Sequence, residues 1–174
     1  EDGIRDLVRS RGLGDVYKRQ LPDSTLYKIG GNGPETIKLS SLYTNRKLAI
    51  FAMPGAFTPT CSIAHLPSII ETADKFSSKG IDEILCISVN DPHVVSAWGD
   101  ITGATAAGIT MLGDPLSEFT KAVGMEFDAP GVGFLARSKR YAMVAEDGFV
   151  KIFLPETARS TCDISGGKAL LDLL

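Results

Sequence analysis

The sequence predicts an α/β fold with a central mixed β-sheet flanked by helices, and three observations carry that prediction. Residues 48–53 (LAIFAM) and 84–89 (ILCISV) are short, continuous apolar runs, the pattern of strands buried on both faces. Each is followed by a stretch whose apolar residues recur at spacings of three and four, the period of a helix. Near the C-terminus, residues 140–145 and 149–154 flank Glu146-Asp147-Gly148, where glycine suits a turn needing positive φ, so these runs read as an antiparallel hairpin.

Taken in order, the first strand ends at Pro54-Gly55. From residue 61 to 76, Ile63, Leu66, Ile69, Ile70, Ala73 and Phe76 mark one helical face, with Gly80 as the stop and a bend expected at Pro67. After the second strand, Asp91-Pro92 offers an N-cap and a proline at the first helical position, opening a helix that runs through Trp98. Residues 109–112 form a weaker strand candidate, residues 115–123 before Gly124 a third helix, and residues 168–174 a closing helix. Strands alternating with helices imply a mainly parallel sheet, and a βαβ unit followed by αβ, a hairpin and a terminal helix is the order of a thioredoxin-like fold.

The chain of 174 residues suits one domain, placed at residues 21–174. Residues 1–20 lack the apolar core of an export signal, and SRGLGDVYKRQ is similar to translated sequencing-adapter peptides, so this leader is expected to be non-native and outside the fold. A net charge of −3, with no basic run interleaved with aromatics, argues against nucleic acid as partner. The longest apolar stretch, residues 48–57, is too short to span a membrane. Three cysteines are too few for a disulfide framework and point to a reducing compartment. That places the chain in the cytoplasm, although an upstream targeting peptide to an organelle is compatible with the same residues.

Chemistry concentrates at Cys61. A cysteine in the first turn of a helix faces unpaired backbone N–H groups and the positive end of the helix dipole, both of which favour a thiolate. Ionisation alone gains little, because an ordinary thiol is already about 3% thiolate at pH 7. A thiolate used as a fast nucleophile must also be met by donors placed where charge develops in its transition state. His65, four residues on, shares a helical face with Cys61, but it is read as structural rather than as a catalytic base, since a preformed thiolate needs none. Trp98 reads as packing. Two histidines and three scattered cysteines without C-x-x-C spacing give no metal site and argue against a thioredoxin-type exchanger.

The segment PGAFTPTCS at residues 54–62, followed by His65-Leu66-Pro67, resembles the signature of type II peroxiredoxins, the peroxiredoxin-5 group of the thioredoxin-like superfamily. The blocks at 84–92 (ILCISVNDP) and 137–148 (RSKRYAMVAEDG) resemble the same group in the same order. The resemblance implies that Cys61 is the peroxidatic cysteine, that Thr58 contacts it and the peroxide, that Pro54 shields the pocket, and that Arg137 is the cation, with Arg140 its rival. It implies reduction of hydrogen peroxide and small organic hydroperoxides through a Cys61 sulfenic acid, in the service of redox homeostasis, by a homodimer without a bound cofactor. Recycling falls to thioredoxin or to glutathione with glutaredoxin. Within the chain, Cys162, in a polar connection, is the better resolving cysteine, and Cys86, mid-strand, the poorer one. The alternative function is a redox-sensing interaction protein that uses the same cysteine.

Overall fold

A computed structural model describes residues 19–174, and its first element is a hairpin that the sequence pattern left unassigned. Strands β1 (Thr25–Gly30) and β2 (Gly33–Lys38) pair antiparallel from Thr25↔Lys38 to Gly30↔Gly33. Gly33 takes a φ of 105°, which favours glycine at the end of the Gly31-Asn32 turn. Helix α1 (Leu39–Tyr43) then leads into β3 (Lys47–Met53). The leader assigned to residues 1–20 lies outside the described residues as far as residue 18. Its last two residues pair with the chain: Val150 N–H donates to Arg19 O at 3.0 Å, and Gln20 bridges antiparallel to Phe149.

The apolar run after Arg46 forms β3, and it pairs parallel with β4 (Glu83–Ser88), which pairs parallel with β5 (Ile109–Gly113). The expected hairpin is β8 (Tyr141–Glu146) with β9 (Phe149–Pro155). The seven-stranded sheet has the order β2-β1-β5-β4-β3-β8-β9, parallel at its centre and antiparallel on either side, so the fold is a mixed sheet flanked by helices. A separate pair, β6 (Glu126–Ala129) and β7 (Phe134–Ser138), was not read from the sequence, and Arg137 lies in β7.

Alternation along β3 divides the core. Leu48, Ile50 and Ala52 face one cluster with Leu26, Leu85 and Tyr141, while Ala49, Phe51 and Met53 face the other with Cys61, Cys86 and Trp98. Burial of each large side chain contributes about 1.5–3 kcal/mol against the entropy of ordering the chain.

The single helix expected over residues 61–76 is broken into parts. A π turn, Cys61–His65, runs into α2 (Leu66–Ile70), and α3 (Ala73–Phe76) follows after a break at Thr72. Pro67 has no N–H to offer the preceding turn, and that turn is widened so that Leu66 N–H reaches Cys61 O. At the break, Thr72 Oγ1 bonds Ser68 O at 2.9 Å and Ile69 O at 3.2 Å, competing with the backbone ladder. Helix α4 (Pro92–Thr102) begins as expected, with Asp91 Oδ1 accepting from His93 and Val94 N–H at 2.8 and 3.1 Å. Helices α5 (Glu118–Ala122) and α6 (Gly167–Leu171) are shorter than the runs assigned to them. Among the described residues, no helix is long and apolar enough to cross a membrane.

Candidate active site

The loop between β3 and the π turn is held from two sides. Ala56 N–H donates to Asn90 Oδ1 at 2.9 Å, tying the loop to the end of β4, and Arg137 Nη1 donates to Pro54 O at 3.1 Å. Thr58 Oγ1 donates to Gly55 O at 2.7 Å, and Thr58 O accepts from Ser62 N–H at 3.0 Å, so Thr58 turns the chain into the helical segment that bears Cys61. Pro54 is buried beneath this turn. Cys61, the first residue of the π turn, is 1% exposed. Its neighbour Ser62 accepts from the indole N–H of Trp98 at 3.1 Å.

The guanidinium at the sulfur is Arg140. Its Nη2 donates to Cys61 Sγ at 3.3 Å and to Arg159 O at 3.0 Å, and its Nη1 donates to His65 Nδ1 at 2.9 Å. Arg137, to which the family resemblance gives the cationic role, sits over the Phe134 ring, 5.1 Å from its centroid, and donates to Pro54 O with its guanidinium packed against Gly55. The difference follows from strand register. Ala52 pairs with Tyr141, so Arg140 stands at the end of β8 where β3 releases the Pro54 loop, whereas Arg137 belongs to the separate two-stranded pair.

His65 is fully buried and carries the network onward. Because Arg140 can only donate, Nδ1 is the acceptor and the proton sits on Nε2, which donates to Ser165 O at 2.9 Å. Burial, then the nearby Arg140 charge, holds the His65 pKa at about 3, so the ring is neutral at physiological pH. Ser165 in turn is fixed by Glu156, whose Oε1 accepts from Ser165 N–H at 2.8 Å, Ser165 Oγ at 2.9 Å and Ile164 N–H at 2.7 Å. The sequence pattern assigned nothing to Glu156, and its only signal there is an acidic residue directly after the hairpin.

The two remaining cysteines differ in setting. Cys86 lies in β4 between Phe51 and Met111, 2% exposed, and burial followed by the nearness of Cys61 pushes its thiol pKa far up. Cys162 is half-buried in the connection between β9 and α6. Burial raises its pKa, an effect opposed by the Arg140 charge and by a hydrogen bond from Ser165. That connection covers the Cys61 site: Ser160 O accepts from Thr60 Oγ1 at 3.3 Å, beside the Arg159 and Ser165 carbonyls already named. All three cysteines are free thiols. Among the described residues, no group of three or more His, Cys, Asp or Glu side chains could hold a metal ion.

Comparison with known proteins gives this arrangement a context. The Redoxin family profile matches residues 18–169. Peroxiredoxin-2B of Arabidopsis thaliana is 40% identical over 136 residues, covering 78% of this chain and 81% of the relative. The chloroplastic Peroxiredoxin-2E-2 of Oryza sativa subsp. japonica is 44% identical over 150 residues, covering 84% of this chain and 65% of the relative. The chain thus spans 65% of that protein's length, and 58% of the chloroplastic Peroxiredoxin-2E of Arabidopsis thaliana. Among solved structures, reduced Prx3 from Vibrio vulnificus in complex with hydrogen peroxide superposes with a TM-score of 0.84 at 40% identity, covering 90% of this chain and 97% of that one.

Proposed function

The chain belongs to the peroxiredoxin family, of the thioredoxin-like superfamily, and from that premise we propose that it is a thiol-dependent peroxidase with Cys61 as its nucleophile. The observation that carries the reading is the bond from Arg140 Nη2 to Cys61 Sγ at 3.3 Å, made by a guanidinium only 2% exposed. A cationic donor bonds a sulfur most strongly when the sulfur is negative, and so favours the attacking form. The Cys61 thiolate attacks the terminal, hydrogen-bearing oxygen of the hydroperoxide, the S–O bond forms as the O–O bond breaks, and the departing alkoxide or hydroxide takes from solvent the proton that the thiol released on ionising. The products are the Cys61 sulfenic acid and an alcohol or water. Arg140 serves the sulfur and the developing charge on oxygen together, and the Thr58 hydroxyl, still able to accept, orients the peroxide. Pro54 shields the pocket from water, while Arg137 acts one step away by fixing the Pro54 carbonyl.

The sulfenic acid is then condensed with a second thiol, forming a disulfide and releasing water. Cys162 suits this step better than Cys86. It lies in a loop tied to the site, whereas freeing Cys86 would break both strand ladders of β4. Thioredoxin, or glutathione with glutaredoxin, supplies the electrons that reset the enzyme. Hydrogen peroxide is the first substrate to test, since a complex with it is known for the Vibrio vulnificus relative. The working unit is a homodimer in a reducing compartment, cytoplasmic or organellar. The test is a coupled assay following NADPH oxidation with either reducing system. Sustained turnover with one of them is expected; consumption of a single equivalent of peroxide with both would overturn the enzymatic reading.

A further inference from the structure

Resting on the reading of Cys61 as the peroxide-attacking thiol, we propose that Glu156 is a positioning residue that clasps the Cys162 loop closed and, through Ser165 and His65, holds Arg140 on the Cys61 sulfur. The two tasks are one because the hydrogen bonds form a closed ring. Glu156 N–H donates to Arg140 O at 2.9 Å, and the Glu156 carboxylate accepts from Ser165. Ser165 O accepts from His65 Nε2, and His65 Nδ1 accepts from Arg140 Nη1, which returns the ring to the residue where it began.

Glu156 also brackets Cys162 in sequence. Oε2 accepts from Thr161 Oγ1 at 3.1 Å on one side, and Oε1 accepts from Ile164 N–H at 2.7 Å on the other. One carboxylate therefore satisfies both backbone N–H groups at residues 164 and 165 as well as two hydroxyls. Burial acts to raise the Glu156 pKa, but the bonds from Ser165, Ile164 and Thr161 outweigh it and hold the carboxyl below its ordinary value, so it is an anion wherever the enzyme works.

The consequence is an ordering of the two chemical steps. While the clasp is closed, Arg140 keeps its two loop-dependent partners, the Arg159 carbonyl and the ring of His65, and stays on the sulfur. Cys162 is meanwhile half-buried with its thiol pKa raised. When the clasp opens, Cys162 becomes accessible and more reactive, and Arg140 is released from the bonds that aim it. Peroxide attack thus belongs to the closed loop and resolution to the open one.

The experiment compares the full chain with Glu156→Ala, Glu156→Asp and Glu156→Gln, each checked for folding by circular dichroism. Two rates are read: oxidation of Cys61 by hydrogen peroxide in a single turnover, and labelling of Cys162 by a maleimide, assigned by peptide mass spectrometry. Glu156→Ala should speed labelling at least about tenfold and slow peroxide attack at least about fivefold, while maleimide labelling of the core Cys86, which a general loss of stability would expose, stays unchanged. Glu156→Asp keeps the charge but shortens the reach by one methylene; it should move both rates the same way, and it carries the test alone if the alanine variant does not fold. Glu156→Gln keeps an acceptor oxygen toward Ile164 and Ser165 but loses the charge that strengthens those bonds, and should move both rates in the same directions as Glu156→Ala by a smaller factor. Labelling unchanged in Glu156→Asp and Glu156→Ala overturns the clasp. Labelling accelerated with peroxide attack unchanged overturns its coupling to Arg140. Failure of the underlying reading is distinct, since peroxide would then be consumed without modifying Cys61.

Discussion

Replacing Arg140 by lysine keeps the charge near Cys61 and removes the geometry. The guanidinium spans Cys61 Sγ, His65 Nδ1 and the Arg159 carbonyl at 3.3, 2.9 and 3.0 Å from two separate nitrogens. A single ammonium has three donors but one centre, and it cannot sit at all three sites at once. Of these three hydrogen bonds, the one to sulfur bears on the rate directly, and the other two aim it. A hydrogen bond involving a charged group is worth about 1.5–3 kcal/mol, which converts to roughly 10- to 150-fold in the rate of attack. The assay is stopped-flow fluorescence of Trp98, the one tryptophan of the chain, whose indole N–H bonds Ser62 beside Cys61 and so senses oxidation there. Arg140→Lys should slow peroxide attack within that range, and Arg137→Lys, which disturbs the bond to Pro54 O and the stacking on Phe134 but no bond to sulfur, should cost less. A wild-type rate for Arg140→Lys, or an equal loss in both variants, would refute the argument that contact with sulfur decides between them.

Further outcomes follow from the same geometry. Cys86→Ser should keep about half or more of wild-type turnover, because the thiol is buried and held protonated; the buried hydroxyl should cost about 1–3 kcal/mol in urea denaturation. A folded but inactive Cys86→Ser, with a Cys61–Cys86 disulfide on peptide mapping, would assign resolution to Cys86. His65 has a pKa of about 3 in the fold against an ordinary 6.5. Between those values the unfolded chain binds more protons, so this stabilisation is complete above pH 6.5 and is lost as pH falls toward 3, at no more than about 1.4 kcal/mol per pH unit. Denaturation series at about pH 6.5, 5 and 4 should show that slope in wild type and its loss in His65→Asn; equal slopes in the two would remove His65 as its source.

Much of this architecture could be read from local patterns. The buried strands at residues 48–53 and 84–89 are legible because a parallel strand covered on both faces has no polar face to hide it. The Asp91-Pro92 helix start and the turn at Gly148 were legible because capping and turn chemistry are local. The β1–β2 hairpin was missed although Gly30-Gly31-Asn32-Gly33 is a turn signal, since its strands TLYKIG and GPETIK are mostly half-buried or exposed and show weak alternation. The π turn was out of reach, because Pro67 announces an irregularity without saying where the helix absorbs it. In the site, Cys61, Thr58 and Pro54 sit in one continuous segment, so a local resemblance names them together. Choosing between Arg137 and Arg140 required the Ala52↔Tyr141 register, a long-range fact. Glu156 was invisible for the same reason, since Arg140 and, by way of Ser165, His65 are joined to it only by the fold.

On the proposed chemistry, Cys61 is the residue whose sulfur meets the peroxide. The most direct measurement is mass spectrometry of the intact chain after one equivalent of hydrogen peroxide, with dimedone present to trap sulfenic acid and peptide mapping to place the adduct, alongside Cys61→Ser. Peroxide should disappear in step with a dimedone adduct or a disulfide at Cys61, and the folded serine variant should consume none. Peroxide consumed by folded Cys61→Ser, or oxidation found at Cys162 with Cys61 unmodified, would contradict it.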